Sequence, residues 1–274
     1  MLESSLNDGT LRFNLKIMKS FKSFLNKILG PKNYLRLTST LYFHYFNKGW
    51  LQDNPSYYSH HFVKNLINPG ETVIDIGGNL GYFTKIFSRL VGKTGRVYTV
   101  EPIALYRQVL EKNISSLQNV TILPYALGEN DGTILMGNPS ADKHRHGLMR
   151  VLKKDETQYL PATDKYDVEL KHPLHLLEPL GKIDYIKCDI EGYEIPVIPL
   201  MEPLIARQLP IVQIETEGEN KFFILEMMWK LGYKSFYAQK QQLVPVLTPE
   251  QTVIGDLLFI PAHRLESFQK FVVG

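Results

Sequence analysis

"VIDIGGNLGYFT", residues 73–84, decides the fold. Val73, Ile74 and Ile76 form a short apolar run of the kind that makes a buried strand. Asp75 stands at its end, followed by a turn rich in glycine (Gly77, Gly78, Gly81). Tyr82, Phe83 and the residues after them then resume at helical spacing. Strand, glycine turn and helix make up the opening of a βαβ unit. In a doubly wound sheet, ligands bind beyond the carboxyl ends of the strands. The glycines let the backbone turn tightly and approach a ligand closely, and the helix start offers free N–H groups.

Further strands are predicted at Arg96–Val100, Val120–Pro124, Ile183–Cys188 and Ile211–Glu215, after a first at Thr72–Ile76. Helices are expected at Tyr82–Val91, Ala104–Ser115, Ile195–Gln208 and 221–232. "YKSFYA" and "VIGDLLFIPA" read as two closing strands, antiparallel at one edge. The fold expected is α/β: a doubly wound, mostly parallel sheet over residues 69–274, preceded by an N-terminal helical extension over 1–68. "NPGE" at 68–71 is the turn between them. Between Leu127 and His175 the pattern weakens. "GENDGTILMG" suggests a hairpin, and the polar stretch after it a surface loop or substrate lid.

The glycine turn reads Gly-x-Asn-x-Gly, not the Gly-x-Gly-x-x-Gly of dinucleotide sites, and a pyrophosphate would be repelled by Asp75. S-adenosylmethionine, with an ammonium and a sulfonium, suits that acid. Gly77, Asn79, Gly81 and Tyr82 are expected around its methionine part. "VYTVEP" ends the second strand with Glu101 and Pro102, where a carboxylate binds both ribose hydroxyls. Glu101 alone does not separate this cofactor from NAD. Ala126 and Leu127, in "LPYALGEN", would lie along the adenine.

The fourth strand ends in "DYIKCDIEGYE". Asp189 and Glu191 fall beside the expected transfer point, as general bases, metal ligands, polar contacts or dipole-complementing acids. Lys187 is unusual in a central strand and is expected to pair with one of these acids, whereas Cys188 packs as a small apolar residue. His144 and His146, in "KHRHGL", are competing base candidates on the long loop or plain solvated residues. The spacing of these groups demands no metal.

"VIDIGGNLGYFT", "VEP", "ALGENDGT" and "IKCDIEGYE" follow one another in the order and spacing of FkbM-type methyltransferases, and the chain resembles that family from about Glu71 to Glu215, with a looser match in "GDLLFIP". The resemblance implies a class I S-adenosylmethionine-dependent fold, a seven-stranded sheet with a reversed last strand. It also implies O-methylation of a sugar, glycan or related hydroxylated small molecule. Two departures stand out. An alanine is usual where Gly78 stands, which reads as a harmless difference. The usual Thr-Leu-Asp before the fourth strand is missing from "YDVELKHPLHLLEPLGKIDYIK", so no role for that Asp carries over.

Composition bounds the alternatives. The chain has 274 residues, 44% hydrophobic and 22% charged, with net charge +3. That balance, with no basic patch beside the site, gives no case for a nucleic-acid partner. One cysteine excludes an internal disulfide. No apolar run reaches membrane-span length, "MLESSLNDGTLRF" does not read as a signal peptide, and a cytoplasmic enzyme is expected. From Leu11 to Trp50 there are eight Lys or Arg and no acid. Ile17, Phe21, Phe24, Leu25 and Ile28 recur among them at helical spacing. This basic amphipathic helix is expected to pack on its own domain or on a second subunit in a homodimer; the second reading is peripheral contact with an anionic membrane. Besides the methyltransferase, two further readings remain: an NAD-dependent oxidoreductase, and a non-catalytic module that keeps the cofactor fold.

Overall fold

The structure, a computed structural model, describes residues 22, 24–138, 149–152, 160, 165–215, 218–253 and 255–273. His144 and His146 lie outside the described residues, as do residues 11–21 and 23 of the basic segment.

The strands are β1 (Thr72–Ile76), β2 (Arg96–Val100), β3 (Val120–Leu123), β4 (Ala126–Leu127), β5 (Gly132–Gly137), β6 (Arg150–Val151), β7 (Lys165–Lys171), β8 (Tyr185–Cys188), β9 (Ile211–Ile214), β10 (Tyr233–Gln239), β11 (Gln242–Pro245) and β12 (Leu257–Pro261). Eight of them form the main sheet, in the order β11-β10-β12-β9-β8-β1-β2-β3. The strands β9, β8, β1, β2 and β3 run parallel, whereas β12 is antiparallel to both β9 and β10. β1 lies between β2 and β8, with Ile76 in register with both Val100 and Cys188. The ends of β1, β2 and β8 therefore converge on one rim, where the loops holding Gly77, Glu101 and Asp189 meet.

Two expectations of topology are corrected. The seven-stranded sheet gains an eighth strand, because β11 folds back on β10 as a tight hairpin. The two late strands, β10 and β12, pair antiparallel as expected, with β11 outside them as the edge and β12 buried throughout between β10 and β9. The hairpin expected at 128–137 does not form locally. β5 pairs instead with β7, from Gly132↔Leu170 to Gly137↔Lys165, and β7 separates it from β4 in a small second sheet. Tyr166, Val168 and Leu170 alternate with Asp167 and Glu169, so one face of β7 is apolar and packs over Tyr106, Val109 and Ala126. The helix expected at 195–208 is broken into Glu194–Val197, a 3-10 turn Ile198–Met201, and Glu202–Gln208. Pro196, Pro199 and Pro203 remove the N–H donors a continuous helix would need.

The N-terminal region contributes to the core. Helix Pro31–Asn47 packs on helix Ala104–Ile114. Tyr58, Phe62, Val63, Leu66 and Ile67 share one apolar cluster with Val73, Phe83 and Phe87. Phe24 and Ile28 are exposed, while Leu25 packs against the core. Among the described residues no helix is long and apolar enough to cross a membrane.

Candidate functional site

The glycine turn is held by the sheet itself. Gly77 and Gly78 both donate their N–H to Val100 O. Gly77 has φ 85°, and a Cβ built on it would fall 1.8 Å from the Asp189 carbonyl oxygen. Only glycine permits this approach of the first and fourth strand ends. A Cβ on Gly78 would meet Thr99 Oγ1 at 2.0 Å, so in this chain glycine fits beside the buried Thr99 where alanine would crowd it. Asn79 adopts a left-handed φ of 48°.

Asp75 is 1% exposed. Its Oδ2 accepts from Thr84 Oγ1 at 2.6 Å, while Oδ1 is enclosed and has no partner. Burial raises its pKa, and Lys187 and Thr84 offset this only in part. Glu101 is also buried, at 4%. Its two oxygens accept from Asn79 N and Ile103 N, each at 2.8 Å, and burial still pushes its pKa up to about 7. Arg107 donates to the carbonyls of Glu101 and Pro102 and fixes this loop.

Lys187, 2% exposed, donates to Asp189 Oδ2 at 2.8 Å, with its Nζ 4.6 Å from the centre of the Phe83 ring. This is the pairing the sequence suggests for an isolated strand lysine. Burial works against both charges. Lys187 nevertheless holds the Asp189 carboxyl below its usual range, and Asp189 holds the Lys187 ammonium above its own. Glu215, at the end of β9, hydrogen-bonds to Asp189, and that bond raises its pKa to about 9. Glu215 therefore carries a proton at neutral pH. Glu191 has a left-handed φ of 56° in the turn after β8, a conformation that costs a non-glycine residue on the order of 1–3 kcal/mol and concentrates at functional sites. Carboxylate oxygens of Asp189, Glu191 and Glu215 lie within 4.8 Å of one another, close enough to share a cation.

Three cavities open on this rim. An apolar slot is lined by Ala126, Leu127, Val100, Pro102 and Tyr193. Beside it, a small pocket is lined by Gly77, Asn79, Glu101, Tyr106 and Asp189. The third, of about 760 Å³, runs from Asp75, Gly78 and Asn79 to the N-terminal helices. Tyr82, assigned to the cofactor by sequence, faces this larger cavity, with its ring 4.5 Å from that of Tyr42.

His60 is a site residue that sequence reasoning misses. Its ring stacks on Phe83 at 4.0 Å and lines the large cavity with Asp75, Lys187 and Asp189. Burial and then Lys187 lower its pKa to about 3, so the imidazole is neutral. Its Nδ1 and the Tyr42 hydroxyl are both enclosed without partners. His60 stands in "SYYSHHF" and Tyr42 in "TLYFHYF", and nothing local in either stretch points to the strand ends.

The residues present fit S-adenosylmethionine. Asp75 and Asn79 each leave an enclosed oxygen without a partner beside the glycine turn, suited to an ammonium. Glu101 retains lone pairs for two hydroxyls, and the apolar slot suits a flat purine. Fold and site together define a nucleoside-cofactor domain with an acid-bearing strand end in place of a phosphate-binding turn. The family profile described as "Methyltransferase FkbM domain" matches residues 75–235, and the chain belongs to that family. Its matched domain is an S-adenosylmethionine-dependent methyltransferase domain.

Among curated proteins, the chain is 41% identical over 56 residues to a protein-L-isoaspartate O-methyltransferase of Methanosarcina mazei, a match covering 20% of this chain and 23% of that protein. It is 29% identical over 155 residues to the ubiquinone/menaquinone biosynthesis C-methyltransferase UbiE of Klebsiella pneumoniae, covering 52% and 56%. The chain thus spans about a quarter and about half the length of these two relatives. Among solved structures, a methyltransferase FkbM from Methylobacillus flagellatus aligns with TM-score 0.44 and 16% identity, over 75% of this chain and 50% of that one.

Proposed function

We propose that the protein transfers a methyl group from S-adenosylmethionine to a hydroxyl of a sugar, glycan or related small molecule bound in the large cavity. One observation carries this reading. The cavity that begins at the glycine turn contains an unpartnered acceptor, His60 Nδ1, and an unpartnered hydroxyl, Tyr42 Oη, with ring centres 5.8 Å apart. A donor and an acceptor side by side match an alcohol, which both gives and takes a hydrogen bond.

When bound, the cofactor supplies a methyl group on a positively charged sulfur, which is a good leaving group. Asp75 and Asn79 would hold its amino-acid end, Glu101 its ribose, and Ala126 and Leu127 its base. The remaining work is alignment and proton removal. Tyr42 orients the acceptor oxygen. With its own proton on Nε2, neutral His60 accepts the hydroxyl's hydrogen bond at Nδ1 and so positions it, while its lowered pKa makes it a weak acceptor of the proton itself. Of the acids put forward from sequence, Asp189 is tied to Lys187, and Glu191, which lines the same cavity, is the one assigned to take the hydroxyl proton.

The test is turnover with a methyl-labelled cofactor and a panel of hydroxylated sugars, read by mass spectrometry as the gain of one methyl group. A product methylated on oxygen, lost in His60→Phe, supports the reading. Turnover retained in His60→Phe would remove His60 from it. Methylation at carbon or nitrogen would overturn the hydroxyl assignment.

A further inference from the structure

We infer that the exposed face of the N-terminal helices docks on an anionic membrane surface, with the helix Pro31–Asn47 lying along the lipid headgroups. This stands apart from the reading of the cofactor and acceptor sites.

The apolar half of the surface comes first. Helix Pro31–Asn47 buries Tyr34, Leu35 and Ser39 against the protein. Leu37, Leu41 and Tyr45 are exposed on the same helix, and their four-residue steps stack them in one row. Trp50, 67% exposed, continues that row, with its ring 5.4 Å from that of Tyr45. Phe24 and Ile28, also four apart, are exposed in the helical segment before it. Six of the ten exposed large apolar side chains among the described residues thus fall between Phe24 and Trp50. Such a concentration marks an interaction surface, where scattered single residues would not.

Charge selects the occupant. Lys32, Arg36 and Lys48 are exposed at multiples of four residues, on the row beside Leu37, Leu41 and Tyr45. Among the described residues none of the three has an ion-pair partner, and from Leu11 to Trp50 the chain has no acid. A second copy of this chain is therefore a poor fit. In a two-fold dimer the patch meets itself, which would set one basic row against the other with no acid from this segment between them. An anionic membrane takes both rows at once: its phosphates pair with Lys and Arg, and the apolar side chains enter the headgroup–acyl boundary. Trp and Tyr suit that boundary because each ring is apolar with one polar edge. Among the described residues no helix is long and apolar enough to cross the bilayer, so the contact lies on its surface. Leu41 and Tyr45 also line the cavity of about 760 Å³, so docking sets the mouth of that cavity against the headgroups.

The experiment is flotation of the full chain with phosphatidylcholine vesicles, with and without phosphatidylglycerol, at low and high salt. The expected result is capture by the anionic vesicles, weakened by salt, and little capture by the neutral ones. Each basic side chain near such a surface contributes about fivefold, so Lys32→Glu/Arg36→Glu should weaken binding by about 25-fold or more. Leu37→Ser/Trp50→Ser leaves the charge intact and should still weaken it by about tenfold or more. These four side chains lie outside the lining of the large cavity, and circular dichroism with a urea midpoint establishes that each variant folds. No capture of the folded chain by anionic vesicles overturns the inference. Equal capture by neutral vesicles, or capture that either double substitution leaves unchanged, overturns it as well. A dimer in sedimentation that Leu37→Ser/Trp50→Ser breaks, without vesicle capture, assigns the face to a second copy. Binding to polyglutamate in place of vesicles assigns it to an acidic protein, and either result overturns membrane docking.

Discussion

Replacing Gly77 by alanine tests how the first and fourth strand ends are joined. Two costs combine. Alanine at φ 85° enters left-handed backbone, at roughly 1–2 kcal/mol. Its Cβ would also fall 1.8 Å from the Asp189 carbonyl, which is backbone and cannot rotate away. Overpacking of this kind costs about 1–3 kcal/mol. The expected destabilisation of Gly77→Ala is therefore roughly 2–5 kcal/mol. Gly192 is the control. It has nearly the same φ, 89°, but nothing lies within 4 Å of its would-be Cβ, so Gly192→Ala should lose only the roughly 1–2 kcal/mol of backbone cost. Urea unfolding of both variants, followed by circular dichroism, measures the difference. Because opening the β1–β8 gap moves Asn79 and Asp189 together, Gly77→Ala should also weaken S-adenosylhomocysteine binding. Equal destabilisation by the two substitutions would refute the claim that close backbone approach fixes this turn.

Other outcomes follow from the same geometry. Gly78→Ala should be destabilising alone and largely restored by adding Thr99→Ala, which removes the oxygen 2.0 Å from the new Cβ; a double-mutant cycle in urea shows whether the two effects couple. Lys187→Met leaves Asp189 without its partner and should destabilise by about 3–5 kcal/mol, the cost of breaking a buried pair from one side, read as a shift in unfolding midpoint. Glu101 has a folded-state pKa raised to about 7 from 4.5, so the native state binds its proton more tightly than the unfolded chain. Its contribution is fully present below pH 4.5 and lost as pH rises through 7, on the order of 3 kcal/mol in all. Unfolding at pH 5 and pH 8 should show that difference shrinking in Glu101→Gln.

Much of this was legible because the decisive signals are local. A run of apolar residues closed by Asp75 and three glycines marks β1 and its turn, and the helix Tyr82–Val91 forms at the residues its periodicity indicates. Lys187 was readable by contrast, as a charge inside an apolar strand that pairs with the nearest acid. The missing parts depend on distance. Glu215 joins the site only because β9 lies beside β8, with Glu215 N bonded to Cys188 O. His60 and Tyr42 arrive because the N-terminal segment packs Phe62 and Val63 into the core under Phe83, and no spacing in their own stretch encodes that. β7 carried a period-2 signal in Tyr166, Val168 and Leu170, but its partner β5 is about 30 residues earlier in the chain, so a local hairpin looked sufficient.

The central claim is that the rim formed by Asp75, the glycine turn and Glu101 holds S-adenosylmethionine. Calorimetric titration with S-adenosylhomocysteine, with NAD as control, tests it most directly. The account predicts one site for the first ligand, lost in Glu101→Ala, and no binding of NAD. Binding of NAD, or S-adenosylhomocysteine affinity unchanged in Glu101→Ala, would contradict it.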